Sequence, residues 1–243
     1  MLPAEALMPG WYGKIPNLGD FASRRLPSRF IVAWDDWLQR ALASSRAQLG
    51  GQWLDLYLTS PVWRFLLMPG VCGSAAWAGV LMPSVDRVGR YFPLTIALEL
   101  PQVALRQERL ERLSAWLAQA EGAALATLDL SVTPERLDQI LDAIPVPDVG
   151  SPDPLTEPAL RLARCAVPGG NGMIAARLPG ADAWPAALAA TGAELLAAAS
   201  FGRSLWWSNG REGRSPLVAC WNGLPAPDDF VRLLDGSGSG TAS

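Results

Sequence analysis

The stretch VWRFLLMPGVCGSAAWAGVLMPSVDRVGRYFPLTIALEL, residues 62–100, holds three apolar runs, at 62–68, 76–83 and 91–100. Runs of this length bounded by Gly, Pro and Ser read as strands. The connections PGVCGSA and SVDRVGR are short enough for hairpins, so the three runs predict an antiparallel meander. Pro93 lies inside the third run and cannot donate to a ladder. It therefore predicts either an edge position or a strand that starts after it.

Helical patterns flank this meander. In SRFIVAWDDWLQRALASSRAQLG, Phe30, Trp34, Leu38, Leu42 and Leu49 recur at helical spacing, with Ser28 placed to cap the start and Gly50 the end. QWLDLYLTS predicts a second short helix that stops before Pro61. Residues 104–121 return to a period of 3.6 through Leu110, Leu113, Trp116, Leu117 and Ala120. TPERLDQILDAI follows, with Thr133 as cap and Pro134 at the first helical position. Beyond a Pro-rich connector at 145–158, GMIAARL reads as a strand and the Ala-rich run at 183–200 as a helix. RSLWWSN (203–209) and PLVACWN (216–222) read as a hairpin around GREGRS. PDDFVRLL reads as a short helix capped by Asp228. The expected fold is one α/β domain over residues 1–235: a mostly antiparallel or mixed sheet covered by helices, a layered α-β-α sandwich. Residues 236–243, GSGSGTAS, are expected to form a flexible tail.

Composition narrows the function classes. The chain has 243 residues, 50% of them apolar and 18% charged, with a formal net charge of −3. Such a chain can build a large core, but its charge does not suit generic nucleic-acid binding. Eleven tryptophans supply core and interface mass. Cys72, Cys165 and Cys220 are far apart and form no CxxC pair, so they read as reduced, buried thiols of a cytosolic protein. No apolar stretch reaches the roughly 18 residues of a membrane span, and no signal peptide is apparent. There is no histidine. That removes Ser-His-Asp and Cys-His activation, the commonest general base and the commonest transition-metal ligand. Catalysis by carboxylate or lysine stays open.

Two stretches carry the remaining candidates. GWYGKIPNLGDFASRRL (10–26) holds Lys14, the single lysine among 20 basic residues, together with Asp20, Arg24 and Arg25. Its lysine follows the first glycine and no Ser/Thr follows it, so the spacing is not that of a P-loop. Lys14 reads as a surface charge beside a turn, and Asp20 as a turn or cap residue. A Schiff-base role for Lys14 would need a desolvated pocket and a partner group. The second stretch, SVDRVGRYF (84–92), gathers Asp86, Arg87 and Arg90 around Gly89. Asp86 is expected to cap the turn and Gly89 to be left-handed. Two arginines on a rigid hairpin tip also suit a carboxylate, a phosphate or a partner peptide. The acidic pairs Asp35/Asp36 and Asp228/Asp229 are adjacent in sequence and do not share a helical face, so neither is a ready metal site. PGGNGM (168–173) reads as a flexible turn. Of Trp206 and Trp207, which point to opposite faces of a strand, one belongs to the core.

GWYGKIPNLGDFASRRLP, WDDWL, YLTSPVWRF, MPSVDRVGRYFPLT and SLWW, in this order from about Met8 to Leu234, resemble the TagF/ImpM family of type VI secretion system-associated proteins. The resemblance implies a cytoplasmic α/β protein with no established enzymatic activity and no cofactor. It further implies a negative, post-translational regulator of type VI secretion that acts on the forkhead-associated scaffold protein Fha, separately from the threonine-phosphorylation switch. Some relatives are fused to a metal-dependent Ser/Thr phosphatase domain. The acidic metal-binding set of that domain is not found here, and its activity is not carried over. Partner contact is expected from Lys14, Asp20, Arg24, Arg25, Asp86, Arg87 and Arg90, with no nucleic acid and no membrane insertion. Two alternatives stand beside this reading. One is a ligand binder or enzyme using Lys14, Asp20 and Arg87 or Arg90 on an anionic substrate. The other is a structural helper of the secretion apparatus.

Overall fold

The computed structural model describes residues 8–100, 105–147, 153–164, 173–209 and 215–236. The three apolar runs form strands β3 (Trp63–Leu67), β4 (Ala76–Met82) and β5 (Leu94–Leu100), paired antiparallel as a meander. Strands β1 (Gly10–Gly13), β2 (Ala22–Arg24), β6 (Arg203–Ser208) and β7 (Leu217–Asn222) extend it to seven strands in the order β2-β1-β5-β4-β3-β6-β7. Every pairing is antiparallel. β5 lies in mid-sheet between β1 and β4 and begins directly after Pro93. Of the two placements that proline allowed, the later start is the one adopted.

The uninterrupted apolar runs are explained by burial on both faces: every residue of β3 and β4 is buried. One face packs against α3 (Gln107–Ala126) and α4 (Pro134–Asp142), where Leu113, Trp116, Leu117, Leu137 and Leu141 meet Val80, Ile96 and Leu98. The other packs against α1 (Ser28–Leu49), α2 (Trp53–Leu58) and α7 (Phe230–Asp235). There Phe30, Trp34, Trp37, Phe65, Trp77, Trp206 and Phe230 form an aromatic layer. The indoles of Trp37 and Trp63 donate to the Pro225 and Leu233 carbonyls, both at 2.8 Å, and so tie the C-terminal segment to α1 and β3. α5 (Thr156–Ala163) packs against α6 (Trp184–Ala199). The result is the expected α-β-α sandwich.

Several local expectations change. The cap position of α1 is Pro27, and Ser28 makes no capping bond because it is already the first helical residue. Thr133 does cap α4, accepting from the Arg136 amide at 3.2 Å. Asp228 does not cap α7: a 3-10 turn, Pro227–Asp229, intervenes, and the Asp228 carboxylate accepts from Ser44 Oγ instead. The described part of GMIAARL is not a strand; Met173 and its neighbours have no ladder partner, and Met173 is exposed. The Pro-rich connector ends in α5, whose Pro158 sits in the first turn, where the missing amide costs nothing. Trp206 is the core member of its pair, while Trp207 is partly buried against the α3 side. Cys72 is buried, and burial pushes its thiol up to about 12, whereas Cys220 is exposed, on the edge strand β7. Cys165, PGGNGM up to its methionine, most of GREGRS and the tail from 237 onward lie outside the described residues.

Gly79 marks the tightest point of the sheet. A Cβ there would lie 2.2 Å from the Ile96 carbonyl oxygen and 2.5 Å from Cζ of Phe65. Backbone of the neighbouring strand cannot move aside as a flexible side chain can. Gly79→Ala should therefore cost about 1–3 kcal/mol or more, read in thermal unfolding as a loss of roughly 2–12 °C for a chain of this size. An unchanged melting temperature would contradict this packing.

Candidate functional site

The two motif stretches fold into one structure. β1 ends at Gly13, where φ is 132° and a Cβ would lie 2.1 Å from the Pro93 carbonyl oxygen, so no side chain fits. The chain then turns Lys14 inward. Lys14 is 3% exposed, and its Nζ donates to Asp86 Oδ2 at 2.7 Å with the Phe21 ring 4.6 Å away. This corrects the expectation of a surface charge. The single lysine is a buried cation, and the Asp86 carboxylate is what makes that burial tolerable.

Asp86 organises the turn around itself. Oδ1 accepts from the amides of Val88 (3.0 Å) and Arg90 (2.9 Å), and Oδ2 accepts from Arg90 Nε at 2.7 Å as well as from Lys14. Gly89 is left-handed at φ 85°, as expected, and its amide donates to the Asp86 carbonyl. Burial alone would raise the Asp86 carboxyl's pKa. The Lys14 ammonium, the Arg90 amide and guanidinium and the Val88 amide together overcome that and hold it well below the usual carboxylate range. The turn is locked onto the first stretch by the Arg87 amide donating to Leu18 O at 2.8 Å and by the Arg90 guanidinium donating to Gly19 O. Asp20 lies 3.7 Å from Arg90 and is largely exposed.

Arg24 and Arg25 go elsewhere. They lie on and beside β2 and reach α4, Arg24 to Glu135 at 3.4 Å and Arg25 through a two-pronged pair with Asp142. They fasten the sheet edge to a helix and do not join the Asp86 turn. The acidic pairs also separate. Asp35 accepts from Tyr12 and Gln39, Asp36 pairs with Arg40, and Asp229 meets Trp221 and Arg232. Among the described residues no group of three or more Cys, Asp or Glu is placed to hold a metal ion.

Beside the turn opens a shallow cleft of about 570 Å³, lined by Arg46, Trp53, Leu54, Gly89, Arg90 and Tyr91. Trp53 forms its wall, fixed by its indole donating to Ser45 Oγ at 2.9 Å and by stacking on Tyr57 with centroids 4.7 Å apart. The Tyr57 hydroxyl bridges both backbone groups of Ser84, and burial raises its pKa, so the phenol stays protonated. The Arg46 guanidinium lies 4.3 Å above the Trp53 ring. Sequence reading missed Arg46, Trp53 and Tyr91. Their only local signal was the seven-residue step from Arg46 to Trp53, which spans the end of α1 and the start of α2.

Chemically, Lys14 and Asp86 are engaged with each other, and neither lines the cleft; Arg90 alone links the buried cluster to it. A Schiff-base lysine needs a free amine facing a pocket, and the Lys14 Nζ faces a carboxylate. The arrangement defines an α-β-α protein with a braced, arginine-bearing surface turn. Within that class its relatives are specific. Residues 10–144 match the TagF N-terminal domain, which is type VI secretion system-associated, and the chain belongs to this family. It is also similar to PA0076 from Pseudomonas aeruginosa PAO1, known from a crystal structure at 2.05 Å resolution. That likeness has 35% sequence identity and a TM-score of 0.72 and covers 96% of each chain, so it continues well past residue 144. No curated protein sequence matches the chain. No helix among the described residues is long and apolar enough to cross a membrane.

Proposed function

We propose that this type VI secretion-associated protein is a cytoplasmic, non-enzymatic regulator that restrains assembly of the secretion system by binding its forkhead-associated scaffold, Fha. The observation that carries the reading is the engagement of the candidate residues. Lys14 and Asp86 neutralise each other in the interior. The exposed parts of the same unit, Arg87 and Arg90 with Asp20, stand on a turn pinned through its backbone amides and carbonyls. A rigid charged tip of this kind suits recognition of a partner. The contact face is therefore assigned to Asp20, Arg87 and Arg90. Lys14 and Asp86 support it from within, and Arg24 and Arg25 belong to a separate structural contact.

Deleting the gene should raise type VI secretion, and overexpressing the protein should lower it, as measured by the amount of secreted tube protein in the medium. Unchanged secretion in both strains would overturn the regulatory reading.

A further inference from the structure

The cleft beside the Asp86 turn holds more positive charge than its ion pairs engage. Lys14 and Arg90 share the one buried carboxylate of Asp86, and Asp20 meets Arg90 only at 3.7 Å from a largely exposed position. Of the two arginines lining the cleft, Arg46 has no carboxylate within ion-pair distance among the described residues, and Asp55 on α2 does not pair with it. This excess sits on a chain whose net charge is −3, so it is local and opposite in sign to the whole.

The remaining walls are apolar. Leu54 is 38% exposed, and Trp53 and Tyr91 complete the lining. Both arginines are pre-oriented. Arg90 is held by Asp86 and the Gly19 carbonyl, and Arg46 lies over the face of Trp53, so little rotamer freedom is lost when either meets a ligand. The amides of Val88, Gly89 and Arg90, which in an open loop could cradle a phosphate, already donate to Asp86. A bare phosphate would also leave the Leu54–Tyr91 wall unused.

We infer that the cleft lined by Arg46, Trp53, Leu54, Arg90 and Tyr91 is a recognition site for an acidic segment of a partner protein. A carboxylate of that segment meets the guanidinium groups of Arg46 and Arg90, and a neighbouring aromatic or aliphatic side chain lies on Leu54 and the half-buried Tyr91 ring. The inference rests on the regulatory reading only in taking the partner to be a protein. It adds the chemistry of what is bound and brings Arg46, Leu54 and Tyr91 into the contact face.

The test is an NMR titration of the full chain, ¹⁵N-labelled, with acetyl-Glu-Phe-Glu-Leu-amide at low salt. The reporters are the Gly89 and Tyr91 amides and the Trp53 indole N–H. These three signals should shift together. The affinity should fall about tenfold or more for acetyl-Gln-Phe-Gln-Leu-amide and for Arg46→Gln, and it should weaken with added salt. Arg40→Gln, which removes an ion pair elsewhere on α1, should bind as wild type does. Absent shifts at the three reporters, equal binding of the glutamine peptide, undiminished binding by Arg46→Gln, or equal affinity for inorganic phosphate would each overturn the assignment. A failed titration leaves the regulatory reading to the secretion assay. Unchanged secretion on deletion and overexpression removes that reading even where the titration succeeds.

Discussion

Asp86→Ala should lower the melting temperature by about 10 °C or more at pH 7. The substitution strands the buried Lys14 ammonium without its carboxylate, and breaking a buried pair from one side costs about 3–5 kcal/mol. It also releases the Val88 and Arg90 amides and the Arg90 guanidinium, so the turn loses its centre. Lys14→Met should cost less, because Asp86 keeps Arg90 and both amides while an apolar chain of similar length fills the space. The pH dependence has a definite sign. The Asp86 carboxyl sits below its ordinary value when folded, so its contribution is complete above the unfolded value, near pH 4, and is lost as the pH falls below that. The gap in melting temperature between wild type and Asp86→Ala should therefore be widest at neutral pH and narrow toward pH 3. Thermal unfolding at pH 7, 5, 4 and 3 measures it. A variant melting within 2 °C of wild type at pH 7, or a gap independent of pH, would contradict the buried-brace account.

Trp34→Ala should be comparably severe. Trp34 is fully buried on α1 at the centre of the aromatic layer, with ring centroids 4.8 Å from Trp37 and from Phe65, 5.3 Å from Phe30 and 5.9 Å from Trp206. Its indole donates to Thr95 Oγ1 at 2.8 Å in mid-sheet. Truncation leaves a cavity between helix and sheet that such large neighbours cannot close, and it leaves the Thr95 hydroxyl with one partner fewer. Large aromatic truncations cost about 3–5 kcal/mol, or a drop of roughly 10–15 °C here. Trp184→Ala is the control: that ring is 59% exposed on α6 and its loss should change the melting temperature by little. Similar effects from the two substitutions would show that the aromatic layer does not organise the fold.

The parts of this structure legible in the sequence are those fixed by short-range patterns. The meander could be read because β3, β4 and β5 are buried on both faces and therefore appear as unbroken apolar runs between turn residues. α4 could be read from Thr133, Pro134 and the spacing of Leu137 and Leu141. β2 is a three-residue strand, mostly exposed, and carries no pattern at all. α5 was hidden by the prolines around it, which mark a helix start as readily as a connector. The sheet order was also beyond reach, since the pairings of β1 with β5 and of β3 with β6 join segments far apart in the chain.

The site divides in the same way. The Asp86–Gly89 turn follows from local turn chemistry and was expected. The inward course of Lys14 was not, because nothing near it in sequence names a carboxylate partner lying 72 positions away. Arg24 and Arg25 looked like members of the same charged patch only until β2 turned them toward α4. Arg46 and Trp53 became visible as cleft walls once the end of α1 and the start of α2 were placed beside Tyr91.

We propose that the arginine-bearing turn, braced from inside by Lys14 and Asp86, presents this protein to a type VI secretion component. The most direct measurement is affinity capture of the Fha scaffold from cells expressing the secretion genes, using the wild-type chain, Arg90→Ala and Arg40→Gln side by side, each with its melting temperature recorded. Wild type and Arg40→Gln should retain the scaffold, and Arg90→Ala should lose most of it while melting within a few degrees of wild type. Full retention of the scaffold by Arg90→Ala, or no scaffold on the wild-type chain, would contradict it.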